Sequence, residues 1–252
     1  MNIGFIGVGK IAGAIVEGLS SVENMSIWLS PRNEGMSKEL AEKYPAVTRL
    51  GSNQEVLDRC DIIFIALRPP VAVEVLSGLI FQEKHIVISL VPLLKYAELV
   101  RVVSPARQVS RAIPLPSVRH HQCPIPIFRS NETVTRLLNH IGQPLLVEEE
   151  GPLHAIWTLT GLITPFYDLL NTLSGWTISH GVEPAIAGEY IANLFQSLSY
   201  EALQSMPIEY GELAGHAETP GGMNAQAGRE IREKGGHEIY RIAADHLLER
   251  FK

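Results

Sequence analysis

The stretch Asn2–Leu19, NIGFIGVGKIAGAIVEGL, decides the fold. A short β-run, Ile3–Ile6, meets Gly7, Val8, Gly9, Lys10, Ile11 and Ala12 and then passes into an apolar, helix-forming run that lasts to Leu19. Strand, glycine turn and helix in that order make a dinucleotide site. Gly7 permits a tight turn out of the strand, Gly9 lets backbone N–H groups approach a pyrophosphate with no Cβ in the way, and Ala12 keeps the helix close to the strand. The helix N-terminus adds unpaired donors and the positive end of a dipole. Glycines also serve plain turns. Here the strand directly before them and the amphipathic helix directly after select the nucleotide reading.

The next strand, Met25–Leu29, ends in Ser30, Pro31, Arg32 and Asn33, where a dinucleotide fold meets the adenosine ribose. An acid there favours NAD, whereas Arg with small hydroxyl residues favours the 2′-phosphate of NADP. Ser30 and Arg32 stand there and no acid does, which selects the phosphate over a plain solvated turn. Further along, Val47–Leu50 reads as a strand, Asn53–Arg59 as a helix, and Asp61–Leu67 as an apolar central strand buried on both faces. In such sheets ligands lie beyond the carboxyl ends of the strands, so residues 66–69 should border the cofactor. Helix 71–79, strand 86–90, helix 94–102 and strand 108–113 follow, with weaker signals for a strand at 125–128, a helix at 132–141 and a strand at 144–147. Short connections between alternating strands and helices predict a doubly wound parallel sheet.

After Gly151 the strand signals stop. Glu148, Glu149 and Glu150 read as an exposed junction, dividing a domain at 1–150 from an all-helical one at 151–252. Residues 153–173 make a long apolar helix that Gly161 and Pro165 should kink. Pro184 opens another, 185–204, with Ala187, Ile191, Leu194, Leu198 and Ala202 at helical spacing. Helices this apolar in so short a segment have little of their own chain to bury against, which predicts a homodimer or larger homo-oligomer through this half. Thr219, Pro220, Gly221 and Gly222, followed by a helix to about Glu233, place bare N–H groups where a carboxylate fits; a plain cap and turn is the alternative. A last helix covers 238–250.

Composition narrows the function class. Among 252 residues 46% are hydrophobic and 19% charged, and the net charge of -6 argues against nucleic acid or an acidic membrane as partner. No apolar run approaches the ~20 residues that span a bilayer. With the first strand starting at once and only two cysteines, Cys60 and Cys123, a cytoplasmic protein with reduced thiols is expected. His120 and His121 are adjacent and cannot share a helix face, and no third ligand stands at zinc spacing, so no metal is expected.

Taken in order, GFIGVGKIA (4–12), LSPRN (29–33), SNQEVLDRCDIIFIALRPP (52–70), ISLVP (88–92), RAIPLP (111–116), LTG (159–161) ahead of a Pro and a Tyr, and TPGGMNAQAGREIREKGG (219–236) resemble the pyrroline-5-carboxylate reductase family. The resemblance implies a Rossmann domain followed by a helical dimerisation domain. It also implies reduction of a small cyclic imine with NADPH at the close of proline biosynthesis. It places Gly9, Lys10 and Ile11 at the pyrophosphate, Ser30 and Arg32 at the 2′-phosphate, Asn53 at the adenosine, and Ala66 and Arg68 at the nicotinamide side. The Thr219–Gly222 turn corresponds to the stretch that holds the substrate carboxylate and ring nitrogen.

The departures cluster on the substrate side. Asn224 stands where the family has a hydroxyl, Pro114-Leu115-Pro116 is a shortened segment, and Thr160-Gly161-Leu162-Ile163-Thr164-Pro165 replaces a run of serines and glycines. On the cofactor side, Arg68 replaces a lysine. Carried onto these residues, the resemblance puts Asn224, supported by Thr219, at the ring nitrogen, the Gly221 and Gly222 amides at the carboxylate, and Thr160 on the substrate side. The β-hydroxyacid dehydrogenases share this domain plan but use a lysine on the long helix, and no lysine lies between Lys95 and Lys234. A reductase of another cyclic imine, favoured by apolar Leu162 and Ile163, and an NADPH-binding protein without catalysis are the remaining alternatives.

Overall fold

The computed structural model describes residues 1–205, 207 and 209–252, which divide into two compact units, 1–157 with Phe251 and 158–250 with Lys252. The first is built on one eight-stranded sheet in the order β3-β2-β1-β4-β5-β6-β7-β8, where β1 is Asn2–Ile6, β2 Ser26–Leu29, β3 Val47–Arg49, β4 Ile62–Ile65, β5 Ile86–Ser89, β6 Gln108–Ala112, β7 Pro124–Phe128 and β8 Gln143–Val147. Strand order reverses between β1 and β4, which puts the topological switch point at the end of the glycine turn. β4 is buried throughout. Its Phe64 stacks on Phe5 of β1 at 4.7 Å, while Ile63 and Ile65 point to the opposite face.

Helices cover both faces. On one lie α1 (Lys10–Leu19), α2 (Glu34–Lys43) and α6 (Glu132–Asn139), contributing Ile15, Leu40 and Leu137 to the core. On the other lie α3 (Asn53–Arg59), α4 (Pro69–Ser77) and α5 (Tyr96–Val102), contributing Leu57, Leu76 and Leu99. α4 starts at Pro69, earlier than its apolar pattern suggests, because proline's missing N–H costs nothing in a first turn.

The sheet is not parallel throughout, as the alternation had implied. β7 runs antiparallel to β6, and β8 is parallel to β7. Between β6 and β7 the chain makes only a 3-10 turn, Pro116–His120, packed on α1 at Gly18, and lacks the crossover helix that a parallel return requires.

Glu150 is likewise no exposed junction. It opens α7 (Glu150–Leu159), and its carboxylate pairs with Arg111 of β6 and accepts from the Tyr96 N–H at 2.6 Å. Arg111 is fully buried; it donates to Pro92 O at 2.6 Å and to His154 Nε2 at 2.8 Å, and its guanidinium lies 4.8 Å from the Trp157 ring centre. One carboxylate therefore caps the first turn of α5 and neutralises the buried Arg111. Leu153 and Trp157 bury the same helix against Phe128 and Phe251, which is why the first compact unit continues beyond Glu150 to Trp157.

The second unit is helical. In place of one kinked helix over 153–173, the chain ends α7 at Leu159, makes a 3-10 turn at Thr160–Leu162 and starts α8 (Ile163–Ser179), so the irregularity falls at Gly161 and Pro165 sits in a first turn where it bends nothing. α9 (Pro184–Gln204) is capped by the Glu183 carboxylate, which accepts from Ile186 N. α10 (Tyr210–Ala217), a helix with no strong sequence signal, precedes α11 (Met223–Glu233) and α12 (Glu238–Leu248). Among the described residues no helix is long and apolar enough to cross a membrane.

Two histidines of the first unit make its stability depend on pH. His85 is buried, accepts from Gln82 N at Nδ1 and bonds Leu57 O through Nε2, a pattern that only the neutral ring satisfies. Burial holds its pKa below the ordinary 6.5, and burial with the nearby Arg111 lowers that of His154. Below pH 6.5 the unfolded chain binds protons that the folded one refuses, so stability falls as pH drops through that window. Urea unfolding at pH 7.5 and 5.5 should show a lower midpoint at the acid value, and a smaller difference in His85→Gln.

Candidate functional site

The glycine turn opens onto a cleft of about 340 Å³ at the carboxyl ends of β1 and β4, lined by residues 7–9, 32–33, 66–68 and Val71. Gly7 is at φ +90, and a Cβ there would stand 2.6 Å from the Ala66 carbonyl oxygen, so both conformation and space require glycine. Beside it the needs differ: nothing lies within 4 Å of where a Gly9 Cβ would stand. Gly9 is the N-cap of α1 and offers no side-chain cap, which leaves first-turn amides directed at that open space. Uncapped donors, the dipole and room are what a diphosphate needs.

The residues predicted for this region separate once their side chains are placed. Arg32 is exposed on the cleft rim, and Ala66 and Arg68 form the opposite wall. Ser30 is not on the rim. It is completely buried, and its hydroxyl accepts the Gly7 N–H at 2.9 Å, so it holds the turn from inside and cannot meet a ribose phosphate. Lys10 and Ile11 supply backbone amides to the helix end, but their side chains leave the cleft: Lys10 lines a neighbouring hollow with Glu17 and Arg119, and Ile11 packs on the core. Asn53 is half-buried at the first position of α3 and does not line the cleft.

Two residues that sequence reasoning missed tie the rim together. Asn33 sits at the N-cap of α2 but does not cap it; its amide instead donates to Val8 O at 2.7 Å, joining the turn after β2 to the glycine turn. Arg49 braces the same turn from behind, donating to Ser37 Oγ at 3.0 Å and to Pro31 O at 3.3 Å. In sequence Asn33 reads as an ordinary helix N-cap, so nothing there announced its bond to Val8, and nothing local marked Arg49.

The second predicted constellation lies in the helical unit. Thr219–Gly222 is a tight turn closed by Gly222 N–H donating to Thr219 O at 2.8 Å, with Gly221 at φ +73 in the position where glycine relieves a type II turn. The Gly222 amide is thus spent on the turn and is not offered to a carboxylate, contrary to expectation; the uncapped first turn of α11, from Met223 onward, offers its amides instead. Glu218, just before the turn, is paired with Arg232 at 2.8 Å, which pins the turn to the body of α11. Thr219 and Asn224 are exposed, and Asn224 Nδ2 donates to Ala217 O at 3.0 Å. Thr160 is half-buried in the 3-10 turn that precedes α8.

A family described as "NADP oxidoreductase coenzyme F420-dependent" matches residues 2–92, the span from β1 to just beyond β5. The pyrroline-5-carboxylate reductase of Corynebacterium melassecola is 25% identical, over 99% of this chain and 97% of its own. In fold, and along its whole length in sequence, this chain is similar to pyrroline-5-carboxylate reductases. The solved 1-pyrroline-5-carboxylate reductase of Streptococcus pyogenes superposes with a TM-score of 0.87 at 22% identity, covering 100% of this chain and 98% of that one. The pyrroline carboxylate reductase of Plasmodium falciparum, solved with NADP bound, superposes with a TM-score of 0.85 at 17% identity, covering 100% and 97%. What these reductases share with this chain end to end is therefore the succession of sheet and helices.

The bond from Gly7 to Ser30 makes a specific demand. Ser30→Ala leaves a buried N–H without an acceptor and should lower unfolding stability by about 1–3 kcal/mol in urea titration. Ser30→Thr, which keeps the hydroxyl, should recover part of that loss.

Proposed function

We propose that this chain is an NADPH-dependent reductase of a cyclic imine, 1-pyrroline-5-carboxylate foremost. The observation that carries the reading is the cleft, with its glycine turn, uncapped helix end and rim arginine, in a chain similar over its whole length to reductases of that imine. The residues fit the dinucleotide: the space beside Gly9 and the first-turn amides of α1 take the diphosphate, and Arg32 takes the 2′-phosphate. When bound, the reduced nicotinamide supplies the hydride.

The chain's own residues then have little chemistry left to do. A protonated iminium carbon is already electrophilic, so holding it in place and excluding water are the main requirements. First-turn amides of α11 hold the substrate carboxylate, with Thr219 and Asn224 beside the ring nitrogen; Gly221 shapes the turn, and Thr160 serves the substrate side. The first unit acts as the nucleotide domain and the second as the substrate and dimerisation domain. In the cytoplasm, where this reading places the enzyme, the two buried free thiols stay reduced.

The helical unit supports a homodimer. Tyr190, Leu198 and Leu203 of α9 are each at least 60% exposed, and Phe166, Tyr167 and Trp176 of α8 are exposed beside them. A monomer rarely leaves so many large apolar side chains in water. A second copy, contributing the same helices, covers them.

Following NADPH oxidation against a panel of cyclic imines tests the function. Turnover of the 5-carboxylate is expected; turnover of only a bulkier or uncharged ring would move the substrate assignment, and tight NADPH binding with no turnover would end the enzymatic reading. In the same assay Arg32→Ala should weaken NADPH by about 1.5–3 kcal/mol and NADH far less, the loss of one charge-assisted bond. Equal weakening of both would remove the 2′-phosphate role. On size-exclusion chromatography with light scattering at micromolar concentration the protein should elute as a dimer or larger, and a stable monomer would contradict the apolar-face argument.

A further inference from the structure

We propose that the hollow beside α1 is a second ligand site, built for an aliphatic amino acid in its zwitterionic form. The hollow, of about 320 Å³, lies between α1, α2 and the 3-10 turn at Pro116–His120, and it shares no lining residue with the cofactor cleft. That is room enough for a small molecule. Helical spacing creates it. Lys10, Gly13 and Glu17 recur on one face of α1, and Met36, Glu39 and Leu40 do so on the facing side of α2. Gly13 sets the depth: a Cβ there would stand 3.2 Å from Met36 Sδ, so the two helices close beneath an apolar floor of Met36 and Leu40.

The charges around this floor select the occupant. Arg119 reaches from the 3-10 turn to Glu17 at 3.5 Å, which balances those two groups. Lys10 and Glu39 are left over, both exposed, and among the described residues neither side chain makes a hydrogen bond or an ion pair. Lys43, one helical turn beyond Glu39, lies over the Tyr44 ring at 5.1 Å and forms no ion pair with Glu39.

Two cations and two carboxylates therefore line the hollow. A plain anion drawn to Lys10 and Arg119 meets Glu17 and Glu39, and a plain cation meets the reverse. The cofactor cleft differs in kind, with Arg32 and Arg68 and no acid in its lining, as a polyanion requires. A molecule with a carboxylate and an ammonium side by side satisfies both leftover groups: the carboxylate accepts from Lys10 Nζ, and the ammonium donates to Glu39. Its aliphatic side chain rests on Met36 and Leu40 and takes apolar surface out of water.

Methyl resonances locate the ligand. Protein carrying 13C at the methionine methyl groups has five such reporters, of which Met36 lines the hollow and Met223 opens α11. In excess NADPH, titration with leucine should move the Met36 signal, identified by its loss in Met36→Leu, along a saturable curve and leave Met223 in place. N-acetyl-leucine, without the ammonium, and leucine amide, without the carboxylate, should each bind about fivefold more weakly or worse, the loss of one exposed charge contact. Glu39→Gln should weaken leucine about fivefold and leave N-acetyl-leucine within about twofold of wild type, and Lys10→Gln should do the same with leucine amide as the unaffected probe. A merely loosened fold would weaken every probe alike. A saturable shift of Met223 with Met36 unmoved, equal binding of leucine and N-acetyl-leucine, or no saturable shift of Met36 by about 100 mM leucine would overturn the proposal. None of those results bears on the imine assignment, which is read from NADPH oxidation.

Discussion

The hydrogen bond from the Gly7 amide to the buried Ser30 hydroxyl is the point on which the cofactor half is assembled. Gly7 leaves β1 with a positive φ and passes so close to the Ala66 carbonyl that no side chain fits between them. A turn this tight directs an N–H into the protein, and a buried donor without an acceptor costs about as much as a lost helix cap. Ser30, at the end of the neighbouring strand, supplies the acceptor. Three strand ends, those of β1, β2 and β4, are thereby locked at one place, and the cleft is what remains open above them.

Much of this was legible in the sequence, for a physical reason. A strand buried on both faces, such as β4, must be apolar throughout, and a turn at positive φ must be glycine, so these elements leave marks that survive without any knowledge of the fold. The order of the elements and the helical texture after residue 151 follow from the same two periodicities. The antiparallel β7 was not legible, because strand direction is set by what connects two strands and not by their residues. Ser30 shows another limit. A small hydroxyl residue at the end of β2 serves equally well outside against a phosphate or inside against an amide, and only three-dimensional placement separates the two.

The polar group inside the first unit was hidden for a related reason. Arg111 lies in a strand whose neighbours are apolar, and Glu150 closes a run of three acids that reads as solvated. Their pairing is between residues far apart in the chain, and nothing in either local pattern announces it. A buried ion pair is weak evidence for stability in itself. Here Glu150 also accepts the Tyr96 amide, while Arg111 reaches the Pro92 carbonyl and stacks on Trp157, so the pair specifies where α7 begins more than it adds to the folding free energy.

The bond between Asn33 and Val8 bears on any attempt to retool the enzyme for a different coenzyme. The turn that carries Arg32 and the glycine turn are stitched into a single body, so exchanging the rim cation for an acid alters one side chain while leaving the platform beneath it in place. Transplanting the entire segment from an unrelated dinucleotide-binding protein would instead cut the stitch. On the function proposed above, coenzyme preference in this scaffold is therefore a property to be edited one side chain at a time, with Asn33 kept in place.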